Sequence, residues 1–128
     1  MVTMRKALGF TIIELLVVLA AMGLLLALAA PRYVDHVDRS REAVLRHNLK
    51  AAREAIERYN ADRGRYPASL QELVTARYLR EVPVDPITDR ADTWVVVGPS
   101  GSGAAGTVFN LKSGARGTAR DGTTYAAW

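Results

Sequence analysis

The sequence contains no cysteine in its 128 residues. Disulfide frameworks, cysteine-ligated zinc and thiol catalysis are therefore excluded. This absence does not by itself place the chain inside or outside a cell. Histidine is also scarce. His36 and His47 do not share a ligand face and neither has a metal-ligating partner nearby in sequence, so both read as surface or boundary residues. No grouping of nucleophile, base and orienting residue appears, and the chain reads as non-enzymatic. The net charge of +4 is small, and Arg5 and Lys6 near the N-terminus supply half of it. Acidic residues interleave with basic ones elsewhere, which does not argue for nucleic acid. Gly101, Gly103 and Gly106 lack the strand-to-helix setting of a phosphate loop. Large apolar side chains are sparse outside residues 10–30, so the core of the remainder must be small and lean on another element or subunit. The length allows one small domain plus an anchor.

Charge is missing most conspicuously between Leu15 and Ala30, where Leu, Val, Ala and Ile dominate. A helix over Phe10–Ala30, 21 residues, spans about 30 Å, roughly the hydrocarbon core of a bilayer. An ordinary cleaved signal has about 7 to 15 apolar residues and a small-residue cleavage site on their far side. This run is longer and helical patterning continues beyond it, which favours a retained membrane helix. Arg5 and Lys6 precede the run and favour a cytoplasmic N-terminus, with the remainder in the periplasm. Glu14 stands inside this segment. It can snorkel at the interface, face a polar path, or pair with a cation in an assembly; a single helix makes no path. Ionisable groups at membrane depth are functional by default. A cut before Phe10 creates an α-amine one turn away, cationic at neutral pH with an unperturbed pKa near ~8. Pairing the two charges removes much of the cost of burying either.

Gly9-Phe10-Thr11-Ile12-Ile13-Glu14-Leu15, after a basic leader and before about 20 apolar residues, resembles the processing motif of type IV pilins and of the pseudopilins of type II secretion systems. The resemblance implies removal of residues 1–9 by a prepilin peptidase and N-methylation of Phe10. It also implies that Glu14 pairs with the Phe10 amine of a neighbouring subunit and sets register in a filament. Gly23 and Pro31 are weak points of the helix, since Gly costs about 1 kcal/mol and Pro about 3 relative to Ala. The simplest expectation is a helix that ends or kinks at Pro31, with Gly23 as a packing site. In the family this segment is stretched in filaments. That implies a kink in the free subunit and partial melting between these positions after assembly.

From Arg32 to Gly64 an amphipathic helix continues. Val34, Val37, Val44, Leu45, Leu49, Ala52, Ile56 and Tyr59 recur at steps of three and four and form a stripe expected to cover a sheet. Asp35 with Arg39, Glu42 with Arg46, and Glu54 with Arg58 are i,i+4 pairs on a face expected to be solvated, each worth a few tenths of a kcal/mol. Asp62-Arg63-Gly64 stops the helix, with Gly64 suited to the left-handed position after it. Ser69-Leu70-Gln71-Glu72 is a capping box opening a helix from Leu70 to about Tyr78. Tyr66-Pro67, that helix, Leu79 and Val82-Pro83-Val84-Asp85-Pro86 resemble the major-pseudopilin pattern, with Pro83 and Pro86 making a rigid extended connection. Strands are expected at Thr93–Val97, at Thr107–Leu111 and, short, at Thr123–Tyr125. A flexible turn is expected at Gly98–Gly103 and a hairpin turn at Asp121-Gly122.

The resemblance also implies a calcium-binding acidic loop near the C-terminus of major pseudopilins. Calcium takes about six to eight oxygens. Beyond residue 92 the tail offers one carboxylate, Asp121, with Ser113, Thr118, Thr123 and Thr124 as weak oxygens. Asp85, Asp89 and Asp92 would have to fold over it. The alternative reading of Asp121 is turn chemistry with Gly122. No other cofactor is expected.

The fold expected is α+β and type IV pilin-like: a long spine helix packed on a short helix and a small antiparallel sheet. Its parts are a leader (1–9), a transmembrane and filament-core half-helix (10–30), an amphipathic periplasmic half-helix (31–64) and a small globular region (65–128). The function implied is a structural pseudopilin of the major type, anchored in the bacterial inner membrane, whose helical homo-oligomer grows in the periplasm and pushes exoproteins outward. Implied partners are the prepilin peptidase/methyltransferase, minor pseudopilins, the inner-membrane assembly platform and membrane lipid. One alternative is a type IV pilus or DNA-uptake pilin, against which the absent C-terminal disulfide counts. Another is a monomeric membrane-tethered periplasmic binding domain, which gives no reason for Glu14.

Overall fold

A computed structural model describes residues 8–99 and 107–128. Arg5, Lys6 and most of the leader lie outside the described residues, as do Ser100–Gly103 of the expected flexible turn and Gly106. Helix α1 runs over Ile12–Arg63 and helix α2 over Leu70–Thr75, followed by strands β1 (Val95–Val97) and β2 (Asn110–Lys112) and a 3-10 turn at Tyr125–Ala127. The chain divides after Val37 into two compact units. This is an α+β arrangement, with a long apolar N-terminal helix, a short helix and a two-stranded antiparallel sheet.

In the first unit the helix does not end at Pro31, which lies inside α1. Proline removes one backbone donor, so the Ala27 carbonyl lacks its usual partner four residues on. The apolar side chains from Ile12 to Leu28 are exposed, as are Tyr33 and Val34. This helix is long and apolar enough to cross a membrane.

The second unit is built on the last turns of α1. Leu45, Leu49, Ala52, Ala55, Ile56 and Tyr59 are buried there, at spacings of three and four that keep one face inward. Leu73, Val108 and Leu111 close the same core. Each fully buried Leu or Ile contributes about 1.5–3 kcal/mol. Val44 stays exposed and Ala55 is buried instead, because residues 45 and 49, not 44, lead the inward stripe. Gly64 ends α1 with φ +69°, its N–H donating to the Asn60 carbonyl at 2.8 Å.

Helix α2 is three residues shorter than expected. Tyr78 N–H donates to the Leu73 carbonyl (2.8 Å) and Arg77 N–H to Val74 (3.0 Å), a Schellman end with Arg77 at φ 64°. That reversal frees Tyr78 to meet the Tyr59 ring edge-on and to donate to Asp62 at 2.8 Å. At the other end Ser69 Oγ accepts from Glu72 N–H at 3.1 Å. Glu72 reaches one residue further back than a capping box requires, accepting from Ala68 N–H at 2.6 Å. It also takes the Arg65 guanidinium at 2.7 Å and the Tyr59 hydroxyl. These contacts, Arg65 first, hold the Glu72 carboxyl down at about 2.

The strands pair Val95 with Lys112, Val96 with Leu111 and Val97 with Asn110. Both are shorter than expected because their flanks bond elsewhere. Val108 N–H goes to the Pro67 carbonyl (2.7 Å), and Thr93 Oγ1 lies 2.7 Å from Thr88 Oγ1. The Thr93 carbonyl lies where a side chain at 114 would begin, 1.8 Å from the Cβ position, so only glycine fits there. The connection expected at 82–86 holds no turn until Pro86, where residues 86–89 turn between bridged Asp85 and Arg90, Asp85 N–H donating to the Arg90 carbonyl at 2.8 Å. Asp85 is fully buried; its Oδ1 accepts from Ile87 N–H (2.8 Å) and its Oδ2 from Ser113 Oγ (2.6 Å). The expected third strand reduces to a single bridge, Thr118 with Thr124, because Tyr125 begins the 3-10 turn. Gly122, at φ +86°, makes the turn that closes this bridge.

The charged face of α1 is not simply solvated. Glu42 and Arg46 do not pair with each other. Arg46 binds Asp121 at 2.8 Å, and Glu42 accepts from Arg120 N–H at 3.0 Å and Tyr125 hydroxyl at 3.1 Å. Arg53 donates to the Leu111 carbonyl (2.8 Å) and the Asn110 side chain (2.9 Å), sealing an edge of β2. Glu54 faces Lys50 at 3.9 Å, and Arg58 turns to the Glu54 backbone.

Candidate processing and assembly site

Leu8 to Thr11 lead into α1 as exposed, irregular backbone. The Gly9–Phe10 peptide bond lies in this stretch, outside helical hydrogen bonding and open to an endopeptidase. Nothing comes within 4 Å of the Cβ position at Gly9, and its φ is not in the left-handed region. The fold therefore makes no demand for glycine there.

Thr11 caps the helix. Its Oγ1 accepts from Glu14 N–H and its carbonyl from Leu15 N–H, both at 3.2 Å. Thr11 and Glu14 thus stand at the N-cap and N3 positions, with the Thr11 half of a capping box made, and Phe10 and Leu15 stand at the staple positions on either side. Sequence reasoning assigned Glu14 but missed Thr11, although Thr11-x-x-Glu14 carries the signal. The negative charge of Glu14 lies in the first turn, where the helix dipole favours it. Among the described residues no group of this chain partners the Glu14 carboxylate. Phe10 is 78% exposed. The site at the head of α1 is a capped helix start carrying one carboxylate unmatched among the described residues, with the exposed Gly9–Phe10 bond just ahead of it. Gly23 and Pro31 lie further along the same helix, and Gly23 also meets nothing within 4 Å of its Cβ position. Asp121 belongs to the other unit.

The profile described as "Prokaryotic N-terminal methylation motif" matches residues 4–30, which take in Gly9 to Glu14. The chain is 31% identical to a type II secretion system core protein G of Pseudomonas aeruginosa, over 64% of this chain and 69% of that protein. The chain belongs to the family of type II secretion pseudopilins and type IV pilins. The fimbrial protein EcpC of Eikenella corrodens is 31% identical over 90% of this chain and 77% of its own length. The core protein G of Escherichia coli K12 is 26% identical over 94% and 92%. No solved structure matches.

The calcium that the resemblance implies can be tested against the donors present in this pseudopilin. Asp121 Oδ2 is held by Arg46 at 2.8 Å, and Oδ1 accepts from Thr123 N–H (3.0 Å) and Thr123 Oγ1 (2.5 Å). The Thr123 contacts first, then Arg46, lower the pKa of Asp121. Asp92 is paired with Arg90 at 2.6 Å, and both oxygens of buried Asp85 are taken internally. Among the described residues no three His, Cys, Asp or Glu side chains come together to hold a metal. With Asp85, Asp92 and Asp121 engaged within the chain, the described residues do not offer the side-chain oxygen set that calcium takes, and they do not fit it.

Proposed function

We propose that this chain is a structural subunit of the pseudopilus of a type II secretion system. A prepilin peptidase hydrolyses the Gly9–Phe10 bond on the cytoplasmic side, and the freed Phe10 amine is N-methylated. The amine of one subunit then pairs with Glu14 of its neighbour, which sets register as the apolar helices gather into the filament core. Gly23 and Pro31 are the points at which the helix yields during that step. Before assembly the subunit is held in the inner membrane by α1, with its second unit in the periplasm. Partners in this reading are further copies of the chain, minor pseudopilins and the inner-membrane assembly platform.

The observation that carries the reading is the unmatched Glu14 carboxylate in the first turn of an otherwise apolar, exposed helix, one turn from an accessible Gly-Phe bond. A carboxylate at membrane depth calls for a cation, and cleavage after Gly9 creates one. The test is intact-mass spectrometry of the membrane-extracted protein. Loss of residues 1–9 with one added methyl group is expected, and an intact leader refutes the reading. The fimbrial relative, matching 90% of the chain, supports a type IV pilin as the second reading. Deleting the gene separates the two: loss of exoprotein release identifies the pseudopilus, and loss of surface pili with normal release identifies the pilus.

A further inference from the structure

The C-terminal segment closes through a ring of side chains that leaves no partner over. Arg46 Nη2 binds Asp121 Oδ2 at 2.8 Å, and Asp121 Oδ1 accepts from Thr123 Oγ1 at 2.5 Å. Thr123 Oγ1 accepts from the Trp128 indole N–H at 2.7 Å, and the Trp128 ring lies under the Arg46 guanidinium, 4.0 Å from Cζ to centroid. The threonine hydroxyl thus donates once and accepts once, and the guanidinium uses both its edge and its face. One turn earlier on α1, Glu42 accepts from Arg120 N–H and the Tyr125 hydroxyl, and Tyr125 meets Trp128 edge-on at 5.3 Å. Residues 120–128 are therefore tied to two successive turns of α1.

We infer that the Arg46 guanidinium is the cation that latches the C-terminal segment onto α1, in a tail where the family resemblance implies calcium, so that this pseudopilin closes its tail without a metal. The physical grounds are independent of the resemblance. Arg46 pairs with the Asp121 carboxylate and stacks on the Trp128 indole, two contacts that a planar guanidinium makes together through its edge and its face. An isolated ion pair this exposed contributes little. The latch depends on the ring acting as a unit, so its members should be strongly coupled.

The experiment uses the full chain in detergent micelles and reads two signals: thermal unfolding followed by near-ultraviolet tryptophan signal, and trypsin cleavage after the exposed Arg116 and Arg120. Wild type should melt at the same temperature, within error, in millimolar calcium and in excess chelator. Arg46→Ala should lower Tm by about 4–8 °C and speed cleavage at those two sites roughly fivefold, since cleavage tracks the open population. Trp128→Ala should do the same. The double variant should lose clearly less than the sum of the two. A fall in wild-type Tm on chelation overturns the inference, as does unchanged cleavage in Arg46→Ala or strict additivity of the two variants. If Arg46→Ala fails to fold, the wild-type chelation arm and Trp128→Ala still decide.

Discussion

Replacing Glu14 by glutamine separates two physical roles that the first turn of α1 superposes. Glu14 stands at N3, and its backbone N–H donates to the N-cap Thr11 Oγ1 at 3.2 Å, while its carboxylate is free of partners among the described residues. Glutamine serves at N3 as well as glutamate does. What it loses there is the favourable interaction of negative charge with the helix dipole, about 0.3–1 kcal/mol. An intersubunit ion pair behaves differently. Once the subunits are packed, removing one charge leaves the Phe10 amine buried and unpaired, at a cost of about 3–5 kcal/mol. That is a loss of roughly 10²–10³ or more in subunit incorporation, since about 1.4 kcal/mol is a factor of ten. Glu14→Gln should therefore insert in the membrane and lose its leader normally, yet be almost absent from sheared filaments. Glu14→Ala and Glu14→Val should fail likewise. The assay is the ratio of filament-borne to membrane-borne subunit by quantitative immunoblot. Wild-type incorporation of Glu14→Gln would refute the ion pair and leave Glu14 only its favourable place in the helix dipole.

Three further perturbations test the fold around the site. Asp85→Asn keeps one acceptor for Ile87 N–H but places an amide NH2, a donor, where Ser113 Oγ now donates, 2.6 Å away in a fully buried position; a loss of about 1–2 kcal/mol is expected, read as a Tm drop of about 5–15 °C, with Asp85→Ala worse. Glu72, with its pKa depressed from 4.5 to about 2, stabilises the fold fully above pH 4.5 and loses that contribution as pH falls toward 2; Glu72→Gln should flatten the acid limb of stability against pH measured by near-ultraviolet melting. Gly23→Ala meets open space in the subunit, so it should stiffen the helix by about 1 kcal/mol and leave leader processing intact; reduced filament yield by electron microscopy is the expected consequence if the helix must yield on assembly.

The elements legible in the sequence are those whose cause is local. Gly64 ends α1 because the left-handed position is next to it in the chain, and Ser69 opens α2 for the same kind of reason. The head of α1 was legible as a motif, although Thr11 was passed over. The elements that escaped depend on distant partners. Nothing near Thr107 indicates that Val108 N–H will turn to Pro67 and shorten the strand. Glu42 and Arg46 are spaced as a helical ion pair, and that spacing is the same whether they pair with each other or are drawn off by Tyr125 and Asp121, more than 70 residues later. Propensity sees the spacing; the partner is chosen by packing.

Two glycines point the other way, from the fold outward to its use. Gly114 has a reason inside the subunit, since the Thr93 carbonyl leaves no room for a side chain. Gly9 and Gly23 have none: neither adopts a left-handed φ and neither has a neighbour within 4 Å of its Cβ position. Glycine in such places only loosens the chain, by about 1 kcal/mol in a helix interior. The same holds for Pro31, which removes a backbone donor within α1 without ending it. Three residues that the fold of the isolated subunit does not call for, all in or beside the segment matched by the methylation motif or next to its end, are accounted for together by the function proposed above: a cut after Gly9, and a helix that yields at Gly23 and Pro31 when it leaves lipid for its neighbours.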